Sequence, residues 1–273
     1  MKKFITENKS FTITVIDHAK DGKPLHCRNG HEVGDTYTCE YGCPMPTNGC
    51  GGFCSKTMTN LYRLKEIVYA NGDLRILGFP NNHDIEFFCP DGAVKFRMQI
   101  HDLAEIRLLT ADALPQYADV IRRSFATVAK DFGWTRENCP GHTSFITDEK
   151  LASKIKDGYF PFGLCVGDKI FGFASLTDMG GGVYEMNDVS VLPEWRHYGY
   201  GRKMIDFCKE KVKELSGNKI TIGIVEENSV LKDWYAANGF VHTGTKTFDG
   251  LPFTVGFMAW EVSQGTSALI YQN

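Results

Sequence analysis

No stretch of this chain approaches the ~18 consecutive apolar residues that a membrane span needs. Neither sign of charge dominates: 30 Lys and Arg oppose 33 Asp and Glu, for a formal net charge of −3. With no basic stripe either, nothing draws the chain toward nucleic acid or an anionic membrane. The N-terminus opens Met1-Lys2-Lys3-Phe4 but meets Glu7 and Lys9 before any apolar run of the signal type. Nine cysteines, an odd number without a secretory signal, argue against a disulfide framework. There is no internal repeat and no low-complexity tract. These absences leave a soluble cytoplasmic protein as the expectation.

What is present is an ordinary folded composition, 42% apolar and 12% aromatic over 273 residues. That much apolar side chain buries a core, and the length suits two domains or one large one. The cysteines divide the chain. Cys27, Cys39, Cys43, Cys50, Cys54 and Cys89 fall early, whereas Cys139, Cys165 and Cys208 are scattered and read as small buried hydrophobes. The expected boundary lies near His101 and Asp102, giving a Cys-rich accessory domain over 1–100 and an α/β domain over 101–273.

In the first part, the alternation over 11–16 predicts a strand. Residues 21–56, rich in Gly, Cys, Pro and Asn, read as loop. A helix is expected over 59–70, with Leu61, Leu64, Ile67 and Val68 on one face. Pro90-Asp91-Gly92 between apolar runs reads as a hairpin turn, because glycine supplies the positive φ.

In the second part a strand is expected over 104–109, then a helix capped by Thr110. Its apolar face would be Leu114, Ala118, Ile121, Phe125, Val128 and Phe132. A short helix over 148–156 and strands over 162–166, 169–176 and 184–191 follow. A long helix over 199–215, a strand over 219–225, a helix over 229–238 and two strands from Phe240 and Pro252 complete the pattern.

The informative segment runs Val189-Ser190-Val191-Leu192-Pro193-Glu194-Trp195-Arg196-His197-Tyr198-Gly199-Tyr200-Gly201. A strand ends at a proline, and an R-x-x-G-x-G turn opens a helix. Free N–H groups at a helix start, with the helix dipole behind them, suit a pyrophosphate. Arg196, His197, Arg202 and Lys203 add positive charge. The plainer reading is that Gly199 and Gly201 only permit a tight turn. A dinucleotide fingerprint is disfavoured, since Met204 stands at the third glycine position.

This turn resembles the acetyl-CoA pyrophosphate loop of the GNAT superfamily of acyl-CoA-dependent N-acyltransferases, and the resemblance extends over 104–262. A second segment, Asn228 to Phe240, is similar to the family's N-x6-Y-x3-G-F helix. The resemblance implies a mixed, mostly antiparallel central sheet flanked by helices, with acetyl-CoA as co-substrate. It implies that the strand before the loop splays from the next one and receives the pantetheine arm. That role would fall on Val189, Val191 and the loop residues Arg196, His197, Tyr198, Gly199, Tyr200 and Gly201, with Arg202 beside them. Asn228 would contact the pantetheine, act as a helix N-cap, or both.

The chemistry implied is transfer of an acetyl group to a primary amine of a small-molecule or protein acceptor by direct attack. An amine with a pKa near ~10.4 needs a base. Glu185, eleven residues before Arg196, stands where some members use a glutamate, with Asp188 as rival and a solvated strand residue as the plainer alternative. Tyr235 matches the family tyrosine that protonates the departing thiolate; the alternative is core packing. Phe125, Trp134, His142, Phe145 and Phe248 are candidate walls of an acceptor site.

The early cysteines form a C-x-x-G-H-x-x-G-D pattern from Cys27 to Asp35, followed by Cys39-x3-Cys43 and Cys50-x3-Cys54. This part resembles a small bacterial family of unknown function. Cys27, His31, Cys39, Cys43, Cys50 and Cys54 are candidate ligands for zinc or an iron–sulfur cluster. Reduced structural thiols and a redox switch are the alternatives. The rival to an enzyme is a non-catalytic acyl-CoA-binding sensor with this module as its responsive part.

Overall fold

The computed structural model describes residues 7–18 and 27–262. These divide into two compact units, up to Glu105 and from Ile106 onward.

The first unit is an antiparallel sheet with one helix. Strands β1 (Lys9–Asp17), β2 (Thr36–Cys39), β3 (Met45–Pro46), β4 (Asp84–Phe88) and β5 (Lys95–Asp102) lie in the order β3-β2-β1-β5-β4. Alternation puts Phe11, Ile13 and Val15 of β1 into the core with Tyr37, Phe96 and Met98. Helix α1 (Ser55–Tyr69) adds Leu61 and Leu64 to it. The expected loop over 21–56 contains β2 and β3, whose partners are set by β1 rather than by local periodicity. Helix α1 also begins four residues before Thr59, whose hydroxyl donates to the Lys56 carbonyl inside the first turn.

The second unit holds β6 (Glu105–Leu108), β7 (Tyr159–Val166), β8 (Lys169–Asp178), β9 (Val183–Val191), β10 (Lys219–Val225), β11 (Val241–Thr247) and β12 (Thr254–Glu261). Their order is β11-β12-β10-β9-β8-β7-β6. Only β9 and β10 pair in parallel among the registers resolved; β7–β8, β8–β9, β10–β12 and β11–β12 are antiparallel. This is the mixed, mostly antiparallel sheet expected.

Helices α2 (Leu114–Asp131), α3 (Asp148–Lys156), α4 (Tyr200–Glu214) and α5 (Ser229–Ala237) flank it. Phe173 of β8 stacks on Tyr117 of α2 at 5.4 Å. Its strand neighbour Ala174 pairs with Phe162, which meets Phe207 of α4 at 5.0 Å. Successive strand residues face opposite ways, so α2 and α4 cover opposite faces. Thr110 does not cap α2: a 3-10 turn, Ala111–Ala113, intervenes, and Pro115 sits in the helix's first turn, where its missing N–H costs nothing. The buried stripe of α2 is Tyr117, Ala118, Val120, Ile121, Ser124 and Ala129, rotated from the expected one. No helix among the described residues is long and apolar enough to cross a membrane.

Candidate active site

The sheet opens at its centre. β9 and β10 pair only through Val183–Lys219, Tyr184–Ile220 and Glu185–Thr221. Beyond Thr221, β10 continues against β12 alone as far as Val225. Beyond Glu185, β9 stays on β8 with a register shift. Asp188 lies in that bulge with φ of 54°, a conformation Asp tolerates better than most residues. The edge of β9 from Met186 to Val191 therefore faces a wedge rather than a ladder. Its backbone groups need a partner from elsewhere.

At the end of β9 the chain makes a 3-10 turn, Pro193–Trp195, and reaches α4 through His197 at φ 66° and Gly199 at φ 81°. Gly199 is the N-cap, no side chain caps the helix, and its first turn carries no acidic residue. The helix start thus keeps its affinity for an anion.

The loop's side chains divide into those that hold it and those that face out. Arg196 is turned inward: Nε donates to the Val191 carbonyl at 3.1 Å, Nη1 to Thr127 Oγ1 at 3.0 Å and Nη2 to the Ser124 carbonyl at 2.8 Å. Burial draws its pKa below the ordinary guanidinium value. Tyr200 is buried, edge-on to Phe171 at 5.1 Å, and Trp195 stacks on the same ring at 4.3 Å. A Cβ on Gly201 would lie 2.9 Å from Trp234, so this glycine is required by helix packing. His197, Tyr198 and Arg202 point outward, Arg202 facing Asp206 at 3.6 Å. Val189 is half-buried and Val191 buried.

After β10, the Asn228 side chain accepts from the Leu231 N–H at 3.0 Å and caps α5. The cap role is therefore realised. Tyr235 is buried between Trp234 at 4.9 Å and Phe240 at 5.5 Å. Burial, with a smaller contribution from Cys208, holds its pKa well above that of an ordinary phenol, so it stays protonated at neutral pH.

Glu185 pairs across the sheet with Thr177, which pairs with Tyr159. With Thr221 on the other side, these four make one polar row on one face, ending where the wedge begins. Asp188 is not equivalent. Its nearly buried carboxylate binds Lys154 of α3 at 3.1 Å, and Lys154 also lies 5.0 Å from the Tyr159 ring centre. Burial lowers the Lys154 pKa, but Asp188 and then Tyr159 outweigh it and the net direction is up. The expected acceptor walls Phe125, Trp134, His142 and Phe145 do gather: His142 lies 6.0 Å, 4.9 Å and 6.2 Å from Phe125, Trp134 and Phe145. Phe248 lies under Lys246, and Phe253, not foreseen, packs on Trp134 at 4.7 Å. Lys154, Tyr159 and Thr177 were also missed. Only strand register and helix packing bring them to the site, and neither leaves a local signal.

The six candidate metal ligands do not form one set: Cys27, His31 and Cys54 line a common cavity, whereas Cys39, Cys43 and Cys50 are not part of its lining. His31 is 2% exposed, with Nδ1 3.0 Å from the Tyr37 hydroxyl and Nε2 3.2 Å from Asn29 Nδ2, so both ring nitrogens are engaged. Cys39 lies 3.5 Å from Lys65 Nζ, Cys43 is exposed, and Cys50 approaches the Thr36 carbonyl. Cys27 accepts the His31 N–H, and Cys54 precedes α1. Among the described residues, no three His, Cys, Asp or Glu side chains are grouped to hold a metal ion. This placement gives no support to zinc or an iron–sulfur cluster.

Residues 126–240 match the acetyltransferase (GNAT) family. A protein of Lactobacillus delbrueckii subsp. lactis, described as an uncharacterized N-acetyltransferase in the pepI 3' region, is 25% identical over 150 residues, covering 50% of this chain and 83% of that protein. Among solved structures, the PaiA N-acetyltransferase of Thermoplasma acidophilum in complex with coenzyme A is 20% identical. It covers 58% of this chain and 99% of its own, with a TM-score of 0.47. The ribosomal-protein-S18-alanine N-acetyltransferase of Escherichia coli is 17% identical, covering 62% and 99%, with a TM-score of 0.48.

Proposed function

We propose that the second unit is a GNAT-type acetyltransferase domain and that this protein moves an acetyl group from acetyl-CoA to a primary amine by direct attack, without a covalent enzyme intermediate. The observation that carries the proposal is the wedge between β9 and β10, closed at Glu185 and open toward the uncapped start of α4.

The pantetheine arm lies along β9 as a surrogate strand, bonding the backbone of Val189 and Val191. The pyrophosphate takes the amides from Arg196 to Gly201, with His197, Tyr198 and Arg202 at its outer edge. Asn228, besides capping α5, borders the arm. An N–H of β9 polarises the thioester carbonyl and stabilises the oxyanion.

Glu185 takes a proton from the ammonium, directly or through water, and the free amine attacks the carbonyl carbon. Asp188 is excluded from this role by its ion pair with Lys154. As the tetrahedral intermediate collapses, its nitrogen gives up a second proton to solvent water, the C–S bond breaks and the Tyr235 hydroxyl gives its proton to the thiolate. Burial keeps this phenol in its protonated, hydrogen-bond-donating form. Tyr235 then recovers a proton from solvent. Positioning and electrostatics supply the catalysis. The first unit is an accessory module, and the rival reading as a non-catalytic sensor has no observation in its favour.

Thiol release from acetyl-CoA across a panel of amines tests the proposal. The expected result is turnover with at least one amine class, greatly reduced in Glu185→Gln and Tyr235→Phe. Full turnover in both variants would overturn the assigned roles.

A further inference from the structure

The first unit contains a cavity of about 210 Å³ lined by Cys27, Arg28, Cys54, Lys56, Thr57 and Cys89, among others. One wall is the start of α1, a helix of 15 residues with no side-chain cap and no acidic residue in its first turn. The first helical N–H to find a carbonyl is that of Met58, which donates to Cys54. The N–H groups of Ser55, Lys56 and Thr57 have no partner among the described residues.

Thr57 makes this more than a bare helix end. It is 0% exposed, lines the cavity, and its Oγ1 has no hydrogen-bond partner. A buried hydroxyl left unpaired is costly, and a ligand oxygen would satisfy it. Charge agrees in sign. Lys56 and Asp91 neutralise each other at 3.1 Å, which leaves the Arg28 guanidinium, exposed at the rim, as the net charge of the lining.

The thiols shape the cavity without competing for those donors. Two Cys-x-x-Gly turns have the same build. Gly30 N–H donates to the Cys27 carbonyl at 3.1 Å, and Gly92 N–H to that of Cys89 at 2.9 Å. The next N–H then reaches the sulfur, His31 to Cys27 at 3.3 Å and Ala93 to Cys89 at 3.2 Å. Both glycines have positive φ, 70° and 66°, which closes each turn.

We propose that this cavity is an anion site that takes a phosphoryl group, free or as a small monoester. Three amides and a buried hydroxyl at the start of α1, and a guanidinium from the turn that follows Cys27, line it. That is more donors than a carboxylate's two oxygens need, and it suits a tetrahedral oxyanion at a helix start.

The cavity thiols report occupancy. The full-length protein is treated with neutral iodoacetamide at fixed pH, and alkylation of each cysteine is followed by peptide mass spectrometry. Inorganic phosphate, methyl phosphate and acetate are compared with sodium chloride at matched ionic strength, and exposed Cys43 is the internal control. Phosphate or methyl phosphate at ten times its dissociation constant is expected to slow Cys54 about tenfold while leaving Cys43 unchanged. The stronger of the two identifies the free ion or the ester as the ligand. Arg28→Gln, at an exposed position, and Thr57→Val are each expected to weaken the protection. No slowing, equal slowing at Cys43, full protection in both variants, or protection by acetate alone would each overturn the proposal. Calorimetry of phosphate binding to wild type and Arg28→Gln decides the matter if Cys54 does not alkylate: heat weakened by the substitution supports the site, and heat that is absent or unaltered overturns it.

Discussion

The Arg196 guanidinium donates through Nη2 to the Ser124 carbonyl, 2.8 Å away, and so ties the turn after β9 to helix α2. An arginine in the R-x-x-G-x-G turn reads naturally as a phosphate ligand. Its side chain instead holds the loop from inside, and in the proposed complex the backbone amides meet the anion. Arg196→Lys keeps the charge but cannot reproduce three donations in a planar fork. It is expected to cost about 2 kcal/mol in chemical denaturation and to raise KM for acetyl-CoA more than it lowers kcat.

Gly201 is held to its identity by Trp234 rather than by a ligand. Gly201→Ala is expected to destabilise by about 1–3 kcal/mol, because the added methyl overpacks against the indole. Trp234→Leu in the same chain should make the Gly201→Ala change nearly neutral. A double-mutant cycle by denaturation checks it; additive effects would count against the contact.

Tyr235→Phe removes a hydroxyl while keeping a ring packed on Trp234 and Phe240. Stability should change little. Turnover should fall about 100-fold, the order expected for loss of a general acid, with KM for acetyl-CoA nearly unchanged. Steady-state kinetics with a responsive amine provide the check.

The two carboxylates of β9 separate by what they do with pH. Lys154 has a folded pKa above its unfolded one, so its pairing with Asp188 contributes stability fully below the ordinary lysine value of ~10.4. That stability is lost as pH rises through the raised folded value. Asp188→Asn suits the left-handed bulge but loses the pair. Its stability should lie below wild type at neutral pH, and the two curves should converge in strong alkali. Glu185→Gln should leave those curves alone and instead lower turnover about 100-fold, which steady-state kinetics would read.

Burial lowers the pKa of His142. A histidine kept neutral in the fold leaves stability intact above the unfolded value of ~6.5 and erodes it as pH falls from there toward the folded pKa. His142→Gln is expected to flatten this decline in thermal denaturation between neutral and mildly acidic pH.

Much of this was legible in the sequence. The strands over 159–191, the turn at Arg196 to Gly201 and the start of α5 at Ser229 follow from short-range signals: alternation, glycine and an Asn cap. Strand β2 was hidden because Tyr37 is set by its pairing with Ile13 of β1, which precedes it across a stretch with no regular period. The stripe of α2 was misread because Phe125, Val128 and Phe132 are apolar while Tyr117 and Ser124 are not. Yet Tyr117 stacks on Phe173, and the Ser124 carbonyl receives Arg196. The neutralisation of Asp188 by Lys154, 34 residues away, has no local signature at all.

The most direct test of the wedge is backbone hydrogen exchange with and without coenzyme A. Protection is expected along Val189 to Val191 and from Arg196 through the first turn of α4, with little change elsewhere in the second unit. Unaltered exchange in both segments at saturating coenzyme A would contradict the placement of the thioester between β9 and β10.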